Sequence, residues 1–162
     1  MGFLYLPWRK RYKRSSVTDV CPFCHAFAAS DDRANLIVKR FCTCALFLCL
    51  HPYNAGHLLV IPYRHIGVFA ELTEEERYEM MDIMNKAIKV LFEIMGCQGM
   101  NAGINLGDGT AGGSIPQHIH FHLVPRFKGD TNFLPILTGT RLITSDLMEI
   151  YDKLVGAFGD ER

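Results

Sequence analysis

No stretch of about twenty apolar residues occurs in this chain of 162 residues, so a membrane-spanning helix is not expected. Net charge is missing too. Seventeen Lys and Arg offset 17 Asp and Glu, and no overall field draws the protein to nucleic acid or to an anionic membrane surface. The N-terminus places its apolar residues ahead of its basic ones, the reverse of a secretory signal. Leu6 stands where a myristoylation signal needs Ser or Thr. There is no internal repeat and no linker.

What is present suits one domain, 1–162, long enough to bury about two-thirds of its unfolded surface. The sequence divides it into a basic arm at 1–16, a cysteine knuckle at 17–30, a core at 31–126 and a C-terminal segment at 127–162. Apolar residues make up 49%, an ordinary share for a globular protein. Six cysteines without a secretory signal indicate a reducing compartment, with the cytoplasm as the expected location, and favour metal binding or burial over disulfides.

Residues 9–14, from Arg9 to Arg14, form the main charge cluster. It reads either as a solvated arm or as a basic arm folding toward a polyanion, and no nucleic-acid module accompanies it. Cys21 and Cys24 form a CxxC knuckle. Two thiolates so spaced can occupy two corners of a tetrahedral zinc site. A redox pair or a surface turn are the alternatives, although no βαβ pattern surrounds the pair. The remaining ligands would come from among His25, His51, His57, His65 and His118.

Residues 36–40 and 43–50 read as strands, with Cys42, Cys44 and Cys49 as small core side chains. A further buried strand follows Gly56 and His57. Thr73 and Glu76 make a capping box that opens a helix running to Gly96. That helix carries two adjoining apolar stripes: Met81, Met84, Ile88, Leu91 and Met95 beside Met80, Ile83, Ala87, Val90 and Ile94. So wide a face implies deeper burial or a second covering surface. Residues 99–105 read as a strand, and 145–158 as a C-terminal helix capped by Thr144 or Ser145. The class is therefore α+β: a mainly antiparallel sheet packed by one long helix and a C-terminal helix.

The densest chemistry lies at 117–126, where His118, His120 and His122 alternate with Ile119, Phe121 and Leu123. A period of two is that of a strand, and it places the imidazoles on one face and the apolar residues on the other. Three imidazoles in a row have no packing purpose; they suit catalysis or metal binding. Just upstream are Gly107, Gly109, Gly112, Gly113 and Ser114, a loop whose N–H groups can converge on an anion.

His118-Ile-His-Phe-His-Leu-Val124 resembles the signature of the histidine-triad (HIT) nucleotide hydrolases and transferases at every position. Pro52 to Pro62 is similar to the family's Gly-His strand. Gly129 to Phe133 and the leader from Leu4 to Trp8 resemble its diadenosine tetraphosphate phosphorylase-like and hydrolase-like branch.

The resemblance implies a HIT-like fold, a two-fold dimer built partly on the long helix, and a nucleotide or dinucleoside polyphosphate as substrate. It implies His120 as nucleophile, forming a covalent nucleotidyl-histidine, and His122 as donor to a phosphate oxygen or the leaving group. Asn105, Gly112, Gly113 and Ser114 would hold the phosphates, with His57 close behind the triad. Cys49 stands near a position where many relatives carry a ribose-binding asparagine, which leaves His51 or Asn54 as candidates for that contact. Zinc-bearing relatives imply a structural Zn2+ held by Cys21, Cys24, His65 and His118, and magnesium could accompany the polyphosphate. The acceptor, water or phosphate, stays open. So do a nucleoside phosphoramidase acting on AMP-amine substrates, a nucleotide-binding regulatory protein, and a catalytic metal centre on the triad.

Overall fold

A computed structural model describes residues 20–111, 113–130 and 145–159. The expectations for the basic arm at 9–14, for Gly112, for Thr144 and for Phe133 lie outside the described residues.

The element order is α1 (Pro22–Ala28), β1 (Ile37–Arg40), β2 (Cys44–Leu48), β3 (Leu58–Pro62), α2 (Glu74–Met95), β4 (Gly99–Ile104), β5 (Phe121–Arg126) and α3 (Leu147–Gly159). The strands form one antiparallel sheet in the order β1-β2-β3-β5-β4. β1 to β3 follow one another as a meander. The chain then crosses through α2, lays β4 at the far edge, and inserts β5 between β3 and β4. The histidine-bearing strand is thus an interior one.

α2 begins with the expected capping box: Thr73 accepts from the Glu76 N–H and Glu76 reaches back to the Thr73 N–H. It stops at Gly96, whose left-handed φ of 61° only glycine adopts cheaply. α2 and α3 cover one face of the sheet through Met80, Ile83, Ala87, Leu91, Leu154 and Phe158, against Val38, Leu46, Leu58, Val60 and Leu123. A smaller cluster on the other face joins α1 to Ile37, Ala45, Phe47, Leu59 and Ile61.

Both apolar stripes of α2 are largely buried: Met80, Ile83, Met84, Ala87, Val90 and Leu91 lie in the core, while Met81 and Ile94 are 59% and 36% exposed. Two readings of the sequence need correction. Cys42 is exposed and Cys49 half-buried; only Cys44 is a core residue, since residues 41–43 turn at the end of the β1–β2 hairpin. α3 is capped by Asp146 rather than Ser145: its carboxylate accepts from the Met148 and Glu149 N–H groups at 2.8 and 3.1 Å.

Candidate active site

His122 lies in the middle of the sheet, opposite Leu59 of β3 and Gly103 of β4. Strand β5 begins only at Phe121, not at residue 117 as the alternation suggested. The reason is loss of partners. On one side, continued pairing would meet Pro62, which has no N–H, and whose carbonyl already accepts from His118 Nε2 at 2.8 Å. On the other, the chain after Ile104 departs into the glycine loop. The alternation survives: Ile119 is buried with Leu123 in the helix-side core, while the three imidazoles lie on the opposite side.

The His120 Nδ1–H donates to the His118 carbonyl at 2.8 Å, which leaves the Nε2 lone pair unprotonated. Burial holds this imidazole below its ordinary pKa, in the neutral form a nucleophile needs.

A second chain of bonds orients His122. The Tyr53 N–H points at His57 Nδ1 at 3.1 Å, and a backbone amide can only donate. His57 must therefore carry its proton on Nε2, which lies 2.9 Å from His122 Nδ1. His122 accepts there and keeps its own proton on Nε2. That nitrogen lies 3.4 Å from the Asn105 side-chain amide, whose oxygen takes the bond once the amide is turned to match. Burial, then the neighbouring His122 and His120, push His57 down to about 3; burial, then His120, push His122 down to about 4. Both rings are neutral at pH 7. The Tyr53 ring stacks on His57 (centroids 4.9 Å, interplanar 22°) and on His122 (5.8 Å, 27°).

The four expected metal ligands come together. Cys21 Sγ lies 3.4 Å and Cys24 Sγ 3.6 Å from His118 Nδ1, Cys24 Sγ lies 3.3 Å from His65 Nδ1, and all four donor atoms fall within 4.8 Å of one another. Zinc at its usual bond lengths and the tetrahedral angle sets sulfur and nitrogen about 3.6 Å apart, so the cluster fits a zinc-sized ion. The Pro62 carbonyl fixes the His118 proton on Nε2 and turns the Nδ1 lone pair toward the thiols, as a ligand requires. Burial and the adjacent Cys21 sulfur raise the Cys24 pKa, a penalty that a divalent cation between them reverses.

Gly113, at a φ of 86°, brings the glycine loop against Asn105: a Cβ there would lie 3.6 Å from Asn105 Cβ. Ser114 is exposed, and among the described residues no acceptor takes the Gly113 or Ser114 N–H. Asn54 is not placed to meet a ribose. Its side chain is buried and bonded to the Pro125 carbonyl and Asp130, both at 2.9 Å.

The sequence reading missed Phe23 and Phe27, one turn apart on α1. Phe23 packs on His118 and His120 with centroids 5.5 and 5.2 Å away, and Phe27 on Phe47 and Tyr63 at 5.4 and 4.9 Å. Their i, i+4 spacing behind the knuckle was the available signal. Tyr53 and Asp130 carried none.

Comparison with known proteins agrees with this geometry. A family model described as HIT domain matches residues 31–129. The AP-4-A phosphorylase of Mycobacterium tuberculosis is 41% identical over 134 residues, 83% of this chain and 68% of its own length. The asymmetrical bis(5'-nucleosyl)-tetraphosphatase of Schizosaccharomyces pombe is 34% identical over 86 residues, covering 53% of this chain and 46% of its own. Among solved structures, a Zn-bound histidine triad family protein from Mycobacterium smegmatis shares the fold with a TM-score of 0.68, at 24% identity, over 88% of this chain and 96% of that one.

Proposed function

The chain belongs to the HIT domain family, and on that premise we propose that it cleaves dinucleoside polyphosphates of the diadenosine tetraphosphate kind by nucleotidyl transfer through His120. The single observation that carries this reading is the His120 Nδ1–H bond to the His118 carbonyl, which leaves the Nε2 of a neutral ring with its lone pair free for attack.

In the first step Nε2 attacks the α-phosphorus, a nitrogen–phosphorus bond forms, and the bond to the bridging oxygen breaks. The remaining polyphosphate leaves with that electron pair. His120 keeps its Nδ1 proton and becomes cationic, and the His118 carbonyl oxygen stabilises that charge. In the second step an oxygen of the acceptor attacks the same phosphorus, the nitrogen–phosphorus bond breaks with its pair returning to Nε2, and a water acceptor releases its proton to solvent. His122 Nε2–H, the Ser114 hydroxyl and the N–H groups of Gly113 and Ser114 hold the phosphate oxygens. One such donor is worth about 3 kcal/mol in the transition state. Asn105 lies close enough to share that task. Phe23 and Phe27, half-buried and backed by Phe47, supply an aromatic wall for the nucleobase. Cys21, Cys24, His65 and His118 would hold a zinc ion with four protein ligands, which would make its part structural. Splitting the displacement in two is what the covalent intermediate contributes.

The identity of the acceptor is tested directly. Diadenosine tetraphosphate incubated with and without inorganic phosphate is expected to yield ADP only with phosphate, in line with the name of the 41% identical relative; AMP and ATP in phosphate-free buffer would make it a hydrolase. The His120→Ala protein is expected to form no labelled adduct and to turn over at least about 10³-fold more slowly. Turnover without an adduct on His120 refutes the mechanism. Release of amine from AMP-amine substrates in preference to either would favour the phosphoramidase reading.

A further inference from the structure

The turn from Tyr53 to His57 supplies the amide that orders the His57–His122 pair, yet its two ends are anchored unequally. At the Gly56 end, Leu91, Met95 and Pro125 crowd so closely that an added Cβ would meet them at 3.3 to 3.4 Å. At the Tyr53 end the flanks face solvent: Leu50 is 62% and Tyr53 50% exposed. A buried side chain fastens that end. Asn54 gives its two N–H bonds to the Pro125 carbonyl and to Asp130 Oδ2, both at 2.9 Å, and its oxygen accepts from Ala55 N–H at 3.2 Å. Its backbone carbonyl accepts from the His57 N–H at 3.2 Å.

Asp130 is held in turn. Arg126 Nε and Nη2 donate to it at 2.6 and 2.9 Å, the Phe127 N–H at 3.2 Å, and Arg126 Nη1 is bonded to Asn101 on β4 at 2.7 Å. The brace therefore runs from two strands, through a carboxylate and an amide, into the turn that carries the Tyr53 N–H.

We infer that Asp130 and Asn54 are positioning residues: through this brace they keep the Tyr53 N–H on His57 Nδ1, and so hold the His122 proton on Nε2. A neutral imidazole has two tautomers of similar stability, and a single 3.1 Å bond selects between them here. A displacement of the turn by about 1 Å takes that donor out of hydrogen-bond range. His57 can then move its proton to Nδ1 and offer His122 a lone pair. His122 must respond by donating from Nδ1, and loses the N–H that faces the phosphates. The tautomer claim concerns the ligand-free protein; only its effect on turnover rests on the proposed function.

The test is nitrogen-15 NMR of histidine-labelled protein at pH 7. In the unaltered protein the His122 signals should show protonated Nε2 and unprotonated Nδ1. Asp130→Ala and Asn54→Ala should give a mixture of tautomers at His57 and His122 and lower kcat by about 10- to 100-fold, with KM within about two-fold. Asp130→Asn, which can still accept from Asn54, should retain most of the ordering. Glu79→Ala, which loosens a turn remote from the site, is the control for lost stability and should leave the tautomer unchanged. A single His122 tautomer in both alanine variants overturns the inference. So does the same mixture in the Glu79→Ala protein. Absence of any activity on dinucleoside polyphosphates would refute the functional reading and leave the NMR result to decide this one.

Discussion

A backbone N–H cannot give up its proton near neutral pH, so the Tyr53 amide imposes a direction on His57 and His122 that no titration in that range reverses. His122 thereby carries its proton on Nε2, and in the mechanism proposed above it would donate a hydrogen bond to the phosphates and not act as a reservoir of protons. The same burial that keeps these rings neutral couples them to folding. His57 has its pKa near 3 when folded, against about 6.5 in an unfolded chain. Between those values the unfolded state binds more protons, so stability rises with pH. The contribution is complete above about pH 6.5 and is lost as pH falls toward 3. Denaturant melts of the protein and of His57→Gln at pH 7.5 and 5 should show a smaller loss on acidification in the variant. Equal losses would mean that His57 titrates normally.

At the scale of elements, the β1–β2 turn hangs on one carboxylate from α2. Glu79 accepts from the Cys42, Thr43 and Cys44 N–H groups at 2.9, 2.6 and 2.9 Å and from the Thr43 hydroxyl at 2.5 Å. Burial raises its pKa, but these bonds outweigh that and leave it below the ordinary carboxylate value. A depressed pKa stabilises the fold above the unfolded value and ceases to do so as pH falls through the folded one. Glu79→Ala should lower the unfolding free energy by about 1–3 kcal/mol at pH 7 and by less at pH 3, read from urea melts. An unchanged midpoint at pH 7 would show that water replaces the carboxylate without loss.

Two properties belong to the whole molecule. The Cys and His cluster, whose donor atoms could hold a metal, joins α1, the segment after β3 and the approach to β5, regions far apart along the chain. The purified protein is expected to hold one zinc per chain; Cys24→Ser should lose it and melt at least about 5 °C lower, since metal binding adds to folding free energy. Metal retained in Cys24→Ser but lost in His120→Ala would move the ion to the triad. The second property is the face of α2 that carries Tyr78, Met81 and Phe92, which are 68%, 59% and 40% exposed. We propose a second copy of the chain as its cover. Sedimentation should give a dimer that Met81→Glu dissociates, whereas a monomer at micromolar concentration rules the pairing out. Among the described residues no helix is long and apolar enough to cross a membrane.

Local rules made much of this legible beforehand. The capping box from Thr73 to Glu76, the stop at Gly96 and the alternation that sets three imidazoles apart from Ile119 and Leu123 all depend on residues within a few positions of each other. Strand edges and exposures were less legible. β5 starts late because of Pro62, and Met81 is 59% exposed although most of both apolar stripes of α2 is buried.

Sequence alone determined most of the elements (though not α1), the face on which the histidines lie, and the residue types able to hold an anion or a metal, because side-chain period and donor chemistry are local properties. Tertiary structure decided which nitrogen of each imidazole carries the proton and set Phe23 over His120. It also turned Asn54 from a ribose candidate into a brace. Those outcomes hinge on single bonds between segments distant in sequence, and no periodicity along the chain encodes a distance across it.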